Sequence, residues 1–178
     1  DDAILHDVQF TVTGLQNSQL YNFNRYIMEN PDTNALITPK GKYYRNRWGW
    51  CDALFMAPPV YAKLADIDND RSYLDFCWNE FCVTTDSLYS ADDNLYHRDL
   101  TLVDDMEPNG EKVFWARGNG WVYAALAMML EYVPQDHPSY SYYKDLYVRM
   151  TEAVIRCQDE DGSWHAGMYD PQTWNTPE

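Results

Sequence analysis

The sequence predicts an all-α protein of helical hairpins set side by side, an α/α solenoid or toroid. Three observations predict it. Apolar residues recur at helical spacing in about six segments. These segments are joined alternately by short polar turns and by long loops, so the turns would face one end of the array and the loops the other. A weak repetition accompanies them: Trp50 and Trp121 stand 71 residues apart, and Tyr96-His97 returns as Trp164-His165 at a spacing of 68. The composition, 46% hydrophobic and 16% aromatic with 7 Trp and 15 Tyr in 178 residues, suits one domain with a sizeable core.

In chain order, Ile4, Leu5, Val8 and Val12 fit a first helix that Gly14 ends. Leu20, Phe23, Tyr26 and Ile27 form a second amphipathic face, stopped by Asn30-Pro31. Residues 30–47 read as a long loop holding the basic cluster Lys40, Lys42, Arg45 and Arg47. A kinked helix is expected over 50–64, because Pro58 and Pro59 cannot donate backbone hydrogen bonds and clash with the preceding turn. A polar turn at 66–70 leads to a helix over 71–85, with Tyr73, Phe76, Cys77, Phe81 and Leu88 on its buried side. Residues 87–117 read as a second long loop. Gly120-Trp121 opens the next helix, whose inner face is Val122, Ala125, Met129 and Tyr132. After a turn at 134–138, with Pro138 in the first helical turn, Tyr142, Leu146, Met150, Ala153, Val154 and Cys157 line the last helix.

One stretch organises the chain: Arg47-Trp48-Gly49-Trp50-Cys51-Asp52-Ala53-Leu54-Phe55-Met56-Ala57-Pro58-Pro59. It sets a single carboxylate after two tryptophans and before an apolar run. In such surroundings low polarity disfavours a carboxylate anion, which suits a proton donor. Asp52 could equally cap the helix that follows, and the two roles are compatible.

The net charge of -15 argues against nucleic acid and anionic membrane surfaces, which both require a basic footprint. An anionic sugar would have to be met by a few Arg and His inside a negative envelope. Cysteines 51, 77, 82 and 157 form no C-x-x-C and no zinc pattern, and read as reduced and mostly buried. That reading leans towards the cytoplasm but leaves a periplasmic protein open. No stretch is long and apolar enough for a bilayer-spanning helix.

The run Trp50 to Pro59 resembles the signature of the unsaturated rhamnogalacturonyl hydrolases, glycoside hydrolase family 105. The resemblance continues through Leu95-Tyr96-His97-Arg98-Asp99, Lys112-Val113-Phe114-Trp115-Ala116-Arg117-Gly118-Asn119-Gly120-Trp121 and Asp161-Gly162-Ser163-Trp164, covering residues 43–178 in the family's order. It implies an (α/α)6 barrel of twelve helices with the site at one mouth. About half of that barrel would be present, residues 1–178 forming one incomplete catalytic domain that is expected to self-associate or fold loosely alone.

The resemblance also implies a reaction: removal of a 4,5-unsaturated galacturonyl unit from rhamnogalacturonan by hydration of its vinyl ether, without metal or organic cofactor. Asp52 would be acid and then base. Trp115 and Trp121 would stack sugars, Trp50 would bind substrate beside them, and His97 and Arg117 would position the unsaturated ring. The family carries a second acid early in the chain, a place Asp2 could take. By residue type alone, Arg117 between two indoles suits a bidentate grip on a sugar carboxylate, but it also suits a structural arginine satisfying loop carbonyls. His97 could bind a sugar hydroxyl or the carboxylate, or be a surface or satisfied core histidine. The alternatives are an unsaturated glucuronyl hydrolase, an epimerase-like α/α barrel, which would want paired histidines, and a non-catalytic carbohydrate-binding helical array, which would need the tryptophans but not Asp52.

Overall fold

The computed structural model describes residues 35–37, 43–45 and 48–172. The two expected N-terminal helices, Asp2, Lys40, Lys42 and Arg47 lie outside the described residues. Within the loop predicted over 30–47, β1 (Ala35–Ile37) and β2 (Tyr43–Arg45) pair antiparallel, with Ala35 opposite Arg45 and Ile37 opposite Tyr43. That stretch therefore holds a short antiparallel strand pair, with Ile37, Tyr43 and Tyr44 its β-favouring residues.

The kinked helix is two helices, α1 (Ala53–Met56) and α2 (Pro58–Ile67). Ala57 closes the first by donating to the Ala53 carbonyl at 3.0 Å and anchors the second by accepting from Tyr61 at 3.1 Å. Pro58 and Pro59 fill the first positions of α2, where a missing N–H leaves no helical bond unmade. Asn69, at φ 50, then turns the chain, and the Asp70 carboxylate accepts the Ser72 N–H at 2.9 Å to start α3 (Ser72–Leu88). All five residues assigned to the inner face of α3 are buried.

The second loop contains a two-residue hairpin, β3 (Tyr89–Ser90) with β4 (Leu95–Tyr96), and ends sooner than predicted. The next helix, α4 (Ala116–Tyr132), starts a full turn before Gly120-Trp121. Two glycines disfavour helix here, and tertiary contacts override them. Gly118 lies so close to Cys51 and Trp115 that a Cβ would stand 2.7 Å from Sγ and 2.8 Å from the indole. The buried Asn119 side chain donates to the Tyr96 and Trp115 carbonyls at 2.9 and 3.0 Å and accepts the Tyr96 N–H at 2.8 Å.

The last helix is α5 (Ser139–Arg156). Leu146, Met150 and Ala153 are buried as predicted, but Tyr143 rather than Tyr142 enters the core, edge-on to Phe81 at 4.9 Å. Pro138 stands just before the helix rather than in its first turn.

Hairpin α2–α3 packs beside hairpin α4–α5 through α2 against α4. The short turns meet at one end. There Arg71 pairs with Asp136 at 2.6 Å, and the buried His137 reaches Ser139 at 2.7 Å and Asp75 at 3.3 Å. The long loops meet at the other end, where Trp50 bridges Asp99, Trp115 bridges Gly167, and Cys51 donates to the Arg98 carbonyl at 2.8 Å. The hairpins repeat, but the repeated residues do not. Trp50 precedes α1 while Trp121 lies inside α4, and Tyr96-His97 is a buried strand end while Trp164-His165 is exposed loop.

Candidate active site

Asp52 stands at the loop end, immediately before α1, and is half-buried. Its backbone accepts the Phe55 and Met56 N–H groups at 2.9 and 3.1 Å, but its carboxylate makes no capping bond. The backbone is already helical at Asp52 (φ -55, ψ -32), whereas a capping side chain needs an extended residue to fold back. The capping role is thereby corrected. Instead, the fully buried Cys51 thiol donates to Asp52 Oδ1 at 3.5 Å. Burial, reinforced by the Asp52 charge, pushes that thiol far up, so it remains an S–H donor.

α1 packs on α4, and the Phe55 and Trp121 rings meet at 4.6 Å, one helical turn on from Asp52. Arg117 sits one turn before Trp121, exposed, with its guanidinium 4.5 Å from the centre of the Trp115 ring. The cation stacked on an indole is held towards the loop end. Trp115 itself is buried at 7% exposure, so it supports Arg117 rather than offering an open face. Gly118 is closely approached by protein, whereas an added Cβ at Gly120 would meet nothing within 4 Å.

Trp50 is 52% exposed, with Arg98 4.8 Å over its ring. Arg98 is steered by Asp99, which accepts from Nε at 2.8 Å and from the Thr101 N–H at 2.8 Å. Burial pushes the Asp99 carboxyl up, but the bonds from Thr101 and Arg98 outweigh it and hold the group below the usual carboxylate range. His97 is buried beside Phe114, ring centres 4.6 Å apart, with Nδ1 3.1 Å from the Val113 carbonyl. A carbonyl can only accept, so Nδ1 carries the proton and Nε2 is the acceptor. Burial lowers the His97 pKa and keeps this neutral form.

Beside Arg117 a groove of about 570 Å³ runs between the start of α4 and the loop after α5, with Gly120, Tyr123, Val154, Trp164 and Met168 among its walls. The structure thus brings Asp52, Trp121 and Arg117 onto adjoining elements at one end, with Trp50 and Trp115 flanking and His97 inside the wall. Asp2 lies outside the described residues. Sequence reasoning missed Asn119, Asp99 and Thr101; all three stand in or beside motifs it had marked. Among the described residues no group of three or more His, Cys, Asp or Glu could hold a metal ion.

The sequence profile of Glycosyl Hydrolase Family 88 matches residues 17–178. The chain is 43% identical over 143 residues, 78% of its length, to an unsaturated 3S-rhamnoglycuronyl hydrolase of Alteromonas sp. (strain LOR). It is 37% identical over 134 residues, 72% of its length, to one of the same name from Formosa agariphila. It spans only about a third of these relatives, 35% and 36%. The solved family 88 hydrolase from Bacteroides vulgatus superposes with a TM-score of 0.77 at 28% identity, over 94% of this chain and 47% of that one. A family 105 hydrolase from C. acetobutylicum, 18% identical with a TM-score of 0.64 over 94% of this chain and 50% of that one, shares the fold.

Proposed function

The chain belongs to Glycosyl Hydrolase Family 88, and from that premise we propose that it is about half of a catalytic (α/α)6 barrel that hydrates 4,5-unsaturated uronyl residues. The observation that carries this reading is the Asp52 carboxylate: it stands at the loop end, does no capping, and is steered by a neighbouring thiol. A protein that only bound sugars would need the aromatic rings around it but no such acid.

Asp52 delivers a proton to C4 of the vinyl ether, and the carboxylate left behind orients water onto C5. One proton and one hydroxyl have then been added across the double bond. The C5 hemiketal opens by breaking the bond to the ring oxygen, which leaves a ketone at C5 and a hydroxyl on C1. C1 is now a hemiacetal, and it expels the next sugar as an alcohol. Ordinary glycoside hydrolysis needs two carboxylates flanking the bond; here one residue serves both steps. Arg117 grips the uronate carboxylate through its planar fork, with Trp121 and Trp50 as sugar-facing rings. His97 contributes from inside the wall by holding the loop that carries Val113 and Trp115.

The substrate is an oligosaccharide in which the unsaturated uronyl unit is attached to rhamnose. Two relatives named as unsaturated 3S-rhamnoglycuronyl hydrolases support the rhamnose partner. The motif from Lys112 to Trp121 supports the narrower placing with the rhamnogalacturonan-degrading enzymes of family 105. Loss of ultraviolet absorbance from the conjugated double bond tests this in the complete barrel. Unsaturated galacturonyl-rhamnose and glucuronyl-rhamnose disaccharides are compared with an unsaturated chondroitin disaccharide. Turnover of a rhamnose-bearing substrate is expected; preference for the chondroitin unit would overturn the substrate class, and no loss of absorbance would overturn the reaction.

A further inference from the structure

We propose that Asp99 is a positioning residue for the reaction: through Arg98 it holds the Trp50 ring at a fixed angle beside Asp52. This rests on the sugar-facing role of Trp50 in the hydrolase reading above. The two oxygens of this one buried carboxylate serve different partners. Oδ1 accepts the Thr101 N–H at 2.8 Å and also the Thr101 hydroxyl, which closes the turn after Asp99. Oδ2 accepts from Arg98 Nε at 2.8 Å, and the Arg98 guanidinium lies 4.8 Å from the centre of the Trp50 ring.

Main-chain bonds set this assembly next to the acid. Trp50 bridges Asp99, and the Cys51 N–H donates to the Arg98 carbonyl at 2.8 Å. The Trp50 carbonyl accepts from Ala53 at 3.0 Å, so the turn that begins at Trp50 is the one that carries Asp52. These bonds fix the backbone of Trp50 whatever side chain stands at position 99, but they do not fix its ring. Trp50 is 52% exposed, and an indole that exposed can change rotamer unless a neighbour holds it. Arg98 lies over one face of the ring, and Asp99, with its side chain only 8% exposed, anchors Arg98 from below. The carboxylate thus acts on the indole through the stacked cation. A ring already held when a sugar arrives loses less freedom on binding, a difference of about two- to tenfold in affinity.

Asparagine separates the two jobs. In Asp99→Asn the amide oxygen can keep both Thr101 bonds, while the NH2 group cannot accept from Arg98 Nε. In the complete barrel acting on an unsaturated glucuronyl-rhamnose disaccharide, Asp99→Asn is expected to raise the Michaelis constant about fivefold and change kcat less than about twofold. Arg98→Lys keeps a charge beside Asp99 but not the planar cation over the indole, and should do the same. In a Trp50→Ala background, Asp99→Asn should add nothing further. Calorimetric binding of the disaccharide in an Asp52→Asn background reads the same cycle without turnover. The inference is overturned if Asp99→Asn changes neither constant, if it lowers kcat with the Michaelis constant unmoved, or if its effect persists in Trp50→Ala, as general damage to the fold would. Should Asp99→Asn not fold, the cycle of Arg98→Lys with Trp50→Ala decides in its place. Turnover by the wild type with no coupling between Asp99 and Trp50 refutes the inference and leaves the hydrolase reading standing. Coupled binding with the double bond never lost supports the role of Asp99 and refutes the hydrolase reading.

Discussion

Two alanine substitutions, two positions apart on one helix, should change stability in opposite directions. At Gly118 a Cβ would stand 2.7 Å from Cys51 Sγ and 2.8 Å from the Trp115 ring. Neither neighbour can retreat easily: Cys51 is fully buried, and Trp115 is 7% exposed with Arg117 stacked on it. Overpacking of this kind costs about 1–3 kcal/mol, while replacing a helical glycine by alanine contributes about 1 kcal/mol. Gly118→Ala should therefore lose up to about 2 kcal/mol net, taking these two effects together. Gly120→Ala meets nothing within 4 Å and should keep the helical gain of up to about 1 kcal/mol. Urea unfolding followed by circular dichroism measures both. The reasoning fails if Gly118→Ala is as stable as Gly120→Ala, because the Cys51 contact would then yield without cost.

Three further outcomes follow from the site. Asp52→Asn keeps the shape but cannot donate the proton, so turnover in the complete barrel should fall at least ~100-fold with substrate binding largely kept; near-normal turnover would remove Asp52 from the chemistry. Arg117→Lys keeps a charge and loses the fork, so the Michaelis constant should rise about tenfold with a smaller change in kcat; an unchanged Michaelis constant would make the guanidinium structural. For His97, burial holds the folded pKa below its ordinary value, against the Val113 bond. The unfolded chain then takes up a proton that the folded chain refuses. Stability is thus full above about pH 6.5, falls as pH drops through that value, and levels off below the folded pKa. His97→Gln should lack this step in stability measured against pH, and a step that persists would assign it to another group.

What was legible in the sequence was local. Helical periodicity located α2, α3, α4 and α5, and the double proline marked the break after Ala57, because both depend on neighbouring residues. The start of α4 was not legible, since Gly118-Asn119-Gly120 reads as loop until Cys51 and Tyr96 are brought against it from far along the chain. The freedom of the Asp52 carboxylate was hidden for a similar reason. An aspartate before an apolar run usually caps, and only the helical backbone at Asp52, with Cys51 anchored to Arg98, shows that this one does not. Loop ends were the least legible part. The Arg98–Asp99–Thr101 cluster and the groove walled by Trp164 form across segments that share no periodicity, so residue type named some of their members but not their grouping.

The most direct measurement of the central claim is turnover of an unsaturated uronyl-rhamnose disaccharide in D2O by the complete barrel, with the product read by NMR. Hydration of the vinyl ether requires one deuterium on C4, loss of the vinyl signal and release of rhamnose, all suppressed together in Asp52→Asn. Release of rhamnose with the double bond retained and no deuterium at C4 would mean ordinary cleavage at the glycosidic carbon, and would contradict the account.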